Sequence, residues 1–534
     1  MIEAIRNLGI LKMIDELKEF NFNALESVES FLEQREKAIE SGAYARIQFE
    51  PIKPKQIGIF AIDDGKIKFQ VEEVADDNWK YLFLKTASQG TYITPTWKES
   101  PSKLRKTMKA VDRYIKNSKE KKVDWIENVY RIFKSEDIEI GELKDDGTLE
   151  RKPFFETVEW AKKAKKMKIF SVRIDGKYNG EIRELLDHCW REKPKSMYQT
   201  KDAESFKLDG VKCSLCDKEA ELYPNVLSGV GINIANVDKP GFFPGVTKKN
   251  ASKAFPICAP CAEALYAAKF HVFSNLRQNI SGHQALIIPH LVESADKEEG
   301  LEIVTSALKL LRRDVSGAER TETRILKNLA ENKGIAIIFI IGDVGGQNVE
   351  NIRKIIPDVL PSRLSDISRA IDDINEIHDN YPDGHPWKTK FLHLNGTLEI
   401  IRDVLGSPKY SKQKSGGGRK PPFKAASVNT LDLLDAIFLK KEYSLKALVA
   451  EFSSKLSYDF LDALSSEDKN KTIYSITDNI DNMVHLLLFL EKLGVIEMNS
   501  GKNFVSKYLE KHEGLKLLND FLNEEARGLD TEEK

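Results

Sequence analysis

The chain has 534 residues, 41% apolar and 31% charged, the composition of a soluble globular protein too long for a single hydrophobic core. No run approaches the ~20 uninterrupted apolar residues of a membrane helix, which excludes a helical membrane protein. The formal net charge of −1 excludes no class of partner, because the charges are segregated: residues 101–122 carry nine Lys/Arg against two acids, residues 161–174 six against none, residues 406–424 six against none, and residues 427–534 thirteen against twenty. Basic stripes of this kind can follow a phosphate backbone by releasing its counterions, although a charge run is also the ordinary signature of a solvated helix face or linker.

The opening MIEAIRNLGILKMIDELKEF has acids and helical periodicity where a secretory leader would have a basic start and an apolar block, so a cytoplasmic location is expected. The first ~40 residues read as two helices, the second capped by Asn23. Beyond Pro51 and Pro54 the pattern turns to strands: QIGIFAI and KIKFQVEEV flank a hairpin turn at Asp63-Asp64-Gly65, and WKYLFLKT at 79–86 is a candidate third strand. Short helices and a strand, KIFSVRID, with a Gly-containing turn after it, fill 125–210. HQALIIPHLVE, a helical stretch over 297–331 and GIAIIFIIGD suggest a strand-helix-strand crossover in a mixed sheet, and helices are expected to dominate 348–405. Gly416-Gly417-Gly418 and Pro421-Pro422 mark a linker, after which apolar residues recur at helical spacing. The fold class is therefore multidomain α+β: a mixed α/β N-terminal domain over 1–207, a cysteine module over 208–275, a mixed α/β to helical region over 276–405, a basic flexible linker over 406–424 and an all-α bundle over 425–534.

Four of the five cysteines form two C-x-x-C pairs, Cys213/Cys216 and Cys258/Cys261, enclosing 41 residues. This is the spacing of two knuckles closing on one metal, and four soft thiolates fit a structural Zn2+ with no coordination position left for a catalytic water. An iron–sulfur cluster or unmetallated core cysteines are the alternatives. A base deaminase is excluded, since Ile257 separates Pro256 from Cys258 and no His-x-Glu precedes them. The enclosed loop is rich in Gly, Asn and Lys. Asn233, Asn236, Lys239, Lys248, Lys249 and Asn250 are candidates for contacts with duplex DNA, with Phe242 or Phe243 as a wedge between bases. The alternative is a surface loop whose Phe pair plugs the module. Gln89, Gly90 and Thr91, in a Gly- and Pro-punctuated loop, are candidates for RNA or DNA backbone contact.

MIEAIRNLGILK, FSVRIDGKYNGEI, KCSLCDKEAEL, VDKPGFFPG, FPICAPCAEAL and LLDAIFLKKEYSLKALVAEF, in that order, together resemble the large subunit of the type I-B CRISPR effector complex, Cascade. The resemblance implies a non-catalytic protein of antiviral defence. Its partners would be the crRNA 5′ handle, target duplex DNA, the Cascade backbone and small subunits, and a recruited helicase-nuclease; its task would be to read the protospacer-adjacent motif and help open the duplex. The C-terminal bundle would resemble the complex's small subunit. A separate product from an internal start would need a Val or Leu codon, since no Met lies between Met197 and Met483.

Enzymatic readings find little support. No G-x-x-x-x-G-K-[ST] loop occurs, IGDVGGQN lacks its lysine, and no Gly-Gly-Asp-Asp carboxylate pair is present. His378-Asp379 is similar to the core of an HD phosphohydrolase, with His385 and His393 nearby, but precedes a Tyr-Pro-Asp-Gly turn. Cys189 is expected to be a buried structural thiol. The remaining alternatives are a zinc-containing nucleic-acid-binding protein outside a CRISPR complex and a metal-dependent phosphohydrolase at His378-Asp379.

Overall fold

The computed structural model describes residues 1–18, 34–37, 39–40, 48–75, 78–85, 92–98, 124–143, 147–198, 206–224, 226–227, 244–247, 249–273, 276–281, 283–291, 335–345, 348–379, 400–401, 404–405, 428–464 and 469–497. The fold is α+β, and the chain divides into two units: Met1–Asn275 with Gly345–Asn351, and Leu276–Val344 with Ile352–Lys534.

The first unit begins with helix α1 (Ile2–Lys18). Strands β1 (Gln56–Asp63) and β2 (Lys66–Glu73) form the expected hairpin, with Asp63 paired to Lys66. Asp64 and Gly65 both take positive φ, 51° and 75°. This is the double left-handed turn whose twist matches that of the flanking strands. β3 (Trp97–Lys98), β4 (Ile138–Leu143), β5 (Leu149–Lys152), β6 (Ile169–Ile174) and β7 (Lys177–Tyr178) complete a seven-stranded sheet in the order β3-β6-β1-β2-β4-β5, with β7 on β6. A second hairpin of the same type joins β6 to β7 through Asp175 and Gly176.

β1 is apolar on both faces: Ile57, Ile59 and Ala61 enter one cluster, Phe60 and Ile62 the other. A strand covered on both sides reads as an unbroken apolar run. The larger cluster packs β1 and β6 against helices α2 (Asp124–Phe133), α3 (Phe154–Ala164) and α4 (Arg183–Glu192). Its centre is aromatic, with the Phe60 ring centroid 4.9 Å from that of Phe154 and the Trp97 ring stacked on Phe170 at 5.7 Å. Cys189 lies in this core, as expected of a structural thiol, and burial pushes it well above the ordinary thiol range.

The candidate strand at 79–86 is instead a 3-10 turn, Asn78–Tyr81, followed by an extended segment outside the sheet. Its alternation is real: Leu82 and Leu84 point into one core cluster, Tyr81 and Phe83 into the other. The main chain bonds to neighbouring loops, with Glu50 N donating to Phe83 O and Ile93 N to Leu84 O. Side-chain period thus matched a strand where no ladder formed.

The rest of the first unit is a small three-stranded sheet, β8 (Leu208–Lys212), β9 (Glu219–Tyr223) and β10 (Ile257–Cys258), followed by helix α5 (Ala259–Ala267) and a π turn, Ala268–Val272.

In the second unit, β11 (Arg277–Ile280), β12 (His283–Leu291), β13 (Ile335–Gly345) and β14 (Asn348–Val359) form a sheet in chain order. β12 and β13 are antiparallel neighbours, so this is not the expected crossover unit. A strand-helix-strand order alone does not set strand direction, and 292–334 lies outside the described residues. Residues 348–359, expected to be helical, form edge strand β14; its Ile and Val favour the pleated surface, and Pro357 is tolerated at an edge.

Helices α6 (Pro361–Asp379), α7 (Val428–Leu439), α8 (Leu445–Leu464) and α9 (Lys469–Lys492) follow. The expected linker lies outside the described residues, and packing joins the elements that flank it. Phe438 of α7 stacks on Phe339 of β13 at 4.5 Å, and Lys354 of β14 pairs with Asp432 at 2.9 Å. Buried Arg363, in the first turn of α6, donates from Nε to Ile437 O at 2.7 Å and from Nη1 to Leu493 O at 3.3 Å. It thereby satisfies carbonyls at the C-terminal ends of α7 and α9, where a cation also suits the helix dipoles. Arg363→Met should leave both carbonyls bare and lower the stability of this unit by about 2–4 kcal/mol, read as an earlier urea midpoint. An unshifted midpoint would show that water replaces the guanidinium without loss.

Candidate metal centre

The first C-x-x-C pair lies in the turn between β8 and β9. Cys213 N donates to Lys218 O and Asp217 N to Cys213 O, both at 3.0 Å, and Asp217 closes the knuckle at φ 57°. The second pair lies where β10 becomes α5: Cys258 is the N-cap, with φ −75° and ψ 163°, and Cys261 occupies the first turn beside Pro260. Antiparallel pairing of Cys258 with Leu222 brings the two turns together, and Ser214 N donates to Pro256 O at 3.0 Å across them.

The four sulfurs all lie within 4.8 Å of one another, with Cys216 Sγ 3.7 Å from Cys258 Sγ. A tetrahedral site with metal–sulfur bonds of ~2.3 Å has sulfur–sulfur edges of about 3.8 Å, so the quartet fits a four-coordinate ion. All five cysteines of the chain are free of disulfides, and three of the quartet are buried. Leu215 N and Cys258 N both approach Cys213 Sγ, at 3.5 and 3.4 Å. Contact with Cys216, Cys258 and Cys261 holds the Cys213 thiol well below its ordinary range, while contact with Cys213 and Cys216 pushes Cys258 and Cys261 well above theirs. Successive ionisations thus oppose one another, and a bound cation is what lets four thiolates coexist.

α1 lies along α5 and the π turn. Arg6, nearly covered, donates from Nη1 to Leu215 O at 2.7 Å and reaches Cys261 Sγ at 3.9 Å. A β-carbon on Gly9 would stand 1.9 Å from Ala264 O, so only glycine allows the two helices this approach. α5 is buried on all its faces from Cys261 to Ala267, with α1 packed along it. The lone acid of the helix, Glu263, is fully buried and receives Arg35 Nε and Nη2 at 2.8 Å each and the Tyr198 hydroxyl at 2.5 Å. A bidentate guanidinium plus a hydroxyl is the partner set a buried carboxylate requires.

Of the nucleic-acid candidates, Asn233, Asn236, Lys239, Phe242, Phe243, Lys248, Gln89, Gly90 and Thr91 lie outside the described residues. Lys249 and Asn250 precede the turn Ala251–Ala254. Asn250 Oδ1 accepts from Thr247 N at 2.6 Å and from Thr247 Oγ1 at 3.0 Å, and its Nδ2 donates to Gly245 O at 2.7 Å, so its amide shapes the loop. In the basic run 161–174, Lys162 pairs with Glu159, Lys165 with Glu142, and Arg173 with Glu72 and Asp63. The runs 101–122 and 406–424 lie outside the described residues, as do 380–399 and the side chains of His378 and Asp379 at the end of α6. Among the described residues, the cysteine quartet is the one group of three or more His, Cys, Asp or Glu placed to hold a metal, and no helix is long and apolar enough to cross a membrane. Sequence reasoning missed Arg6 and Glu263. For Glu263 the available signal was a single charge in an otherwise apolar helical run, which burial obliges the fold to pair; α1 carries several charges and singles out none of them.

Residues 210–359 match the family model described as the central domain of the CRISPR-associated protein TM1802. The match takes in both knuckles and the strands through β14, a little over a quarter of the chain, and ties this region to CRISPR-associated proteins. No curated protein and no solved structure matches the chain.

Two measurements check this centre. Arg6→Met keeps all four sulfurs but removes the outer hydrogen bonds, and should weaken metal affinity by about 10- to 100-fold in chelator competition; unchanged affinity would exclude Arg6 from the site's support. Gly9→Val should push α1 off α5 and destabilise the unit by about 1–3 kcal/mol or more, with earlier proteolysis near the N-terminus. Wild-type protease resistance would show that α1 does not need this approach.

Proposed function

We propose that the chain is the large subunit of a crRNA-guided type I-B CRISPR surveillance complex and that its metal is a structural Zn2+. The observation that carries this reading is the coincidence of two independent features: the family match spans the same segment whose four cysteines converge within 4.8 Å. A closed four-sulfur site leaves no open coordination position, so the metal folds the module and performs no reaction. The protein is not an enzyme in this reading, and cleavage belongs to a separately recruited helicase-nuclease. Guide pairing supplies sequence specificity, which leaves this subunit to read a short protospacer-adjacent motif on duplex DNA, hold the crRNA 5′ handle and help open the duplex, in contact with the backbone and small subunits in the cytoplasm. The segment between the knuckles, with Lys248 and Lys249, supplies duplex contacts.

Co-expression with the neighbouring CRISPR genes and an array should yield a complex containing this chain, crRNA and about one Zn2+ per chain by elemental analysis. Recovery of the chain alone, or loaded with iron, would overturn the assignment or the metal. Within the complex, Lys248→Ala with Lys249→Ala should flatten the salt dependence of duplex binding by up to ~0.9 log–log units per lost phosphate contact, whereas a slope equal to wild type would remove these lysines from the DNA surface.

A further inference from the structure

The four cysteines are chemically alike but not equally open to solvent. Cys213, Cys258 and Cys261 are buried, whereas Cys216 is partly exposed, at the end of the first knuckle next to the exposed Asp217. Its sulfur stands 3.7 Å from Cys258 Sγ of the other knuckle. The remaining two sulfurs are engaged inward: Leu215 N and Cys258 N approach Cys213 Sγ at 3.5 and 3.4 Å, and Arg6 Nη1 approaches Cys261 Sγ at 3.9 Å. A reachable thiolate with a second thiolate beside it is the arrangement in which oxidation stops at a reversible disulfide, because the neighbour captures the sulfenic acid before further oxidant can.

Resting on the structural Zn2+ of the reading above, we propose that the quartet is a peroxide-sensitive metal switch, in which Cys216 is oxidised first and Cys258 resolves it to a disulfide between the knuckles. The Cys216 thiolate attacks one oxygen of hydrogen peroxide, the O–O bond breaks, and the departing hydroxide takes a proton to become water. Cys258 thiolate then attacks the sulfur of the Cys216 sulfenic acid. An S–S bond forms, the S–O bond breaks, and a second hydroxide is protonated to water. Two thiolates have lost two electrons, peroxide has gained them, and zinc stays divalent throughout. With two of its four ligands consumed, the ion is held by Cys213 and Cys261 alone and departs.

The new bond joins the same two turns that the Cys258–Leu222 pairing and the Ser214 N to Pro256 O hydrogen bond already hold together, so the module keeps its strands and reduction restores the site. What changes is the support of α1. Arg6 reaches both knuckles, donating to Leu215 O at 2.7 Å and approaching Cys261 Sγ. Closing the gap from Cys216 to Cys258 shifts the first knuckle, and Leu215 with it, which loosens the grip on the N-terminal helix.

The test uses the full chain, its zinc first counted by elemental analysis; a chain that holds none sinks the metal reading and this switch together. Treated with a small excess of hydrogen peroxide and read with a chromophoric zinc chelator, the loaded chain should release about one Zn2+. A peptide map without reductant should join Cys216 to Cys258, and a thiol reductant with added zinc should reload the site. Amides of α1 should exchange hydrogen faster after oxidation and recover on reduction. Cys189→Ala, which lies outside the quartet, should release zinc as wild type does. Zinc retained at peroxide levels that oxidise glutathione would overturn the switch, as would a disulfide within one knuckle, release by irreversible sulfinic acid formation, or unchanged α1 exchange. Release lost in Cys189→Ala would place the reactive thiol there instead. None of these outcomes depends on crRNA, so the failure of the Cascade reading and the failure of the switch are told apart.

Discussion

Four sulfurs cannot all ionise within 4.8 Å of one another unless a cation is shared among them, and the first unit is arranged around that constraint. A shared metal would tie together two turns separated by 41 residues, whose ends the β9–β10 pairing already brings close. The second knuckle fixes the start of α5. α5 in turn presents Ala264 to Gly9 and Glu263 to Arg35, while Arg6 returns from α1 to the first knuckle and to Cys261. The paired cysteine turns, the N-terminal helix and the buried ion pair therefore form one connected structure, in which losing any member exposes an unpaired charge or a bare helix face.

Many of the described charges hold the fold. Three of the six bases in the run 161–174, Lys162, Lys165 and Arg173, are paired with acids of the surrounding strands and helices, as expected when long side chains lie over a mixed-charge surface. Lys85 and Lys193 come instead from distant parts of the chain to meet one carboxylate, Glu50.

Several features were legible in the sequence because they are local. Asp64-Gly65 dictates a tight turn through left-handed backbone preference, QIGIFAI declares a strand, and each C-x-x-C pair marks half of a candidate metal site, since each signal lies within a few residues. Others depended on what packs against them. The segment 79–85 alternates like a strand yet finds no ladder, because loops at Glu50 and Ile93 take its backbone groups. β14 was read as helix because its apolar residues satisfy either period, and only its place at the edge of the β11–β14 sheet resolves the choice.

Sequence by itself marked the four cysteines as a candidate metal site and determined the α+β class, the main hairpin and the helical C-terminal region, all consequences of short-range stereochemistry and periodicity. Tertiary structure alone decided that α1 seals α5, that Arg363 joins α6 to helices on the far side of the basic segment, that β12 and β13 run antiparallel, and that Lys85 and Lys193 meet at Glu50. Each of these brings together residues tens to hundreds of positions apart. No local preference encodes such a meeting, which follows from the burial of apolar surface once the whole chain has found its packing.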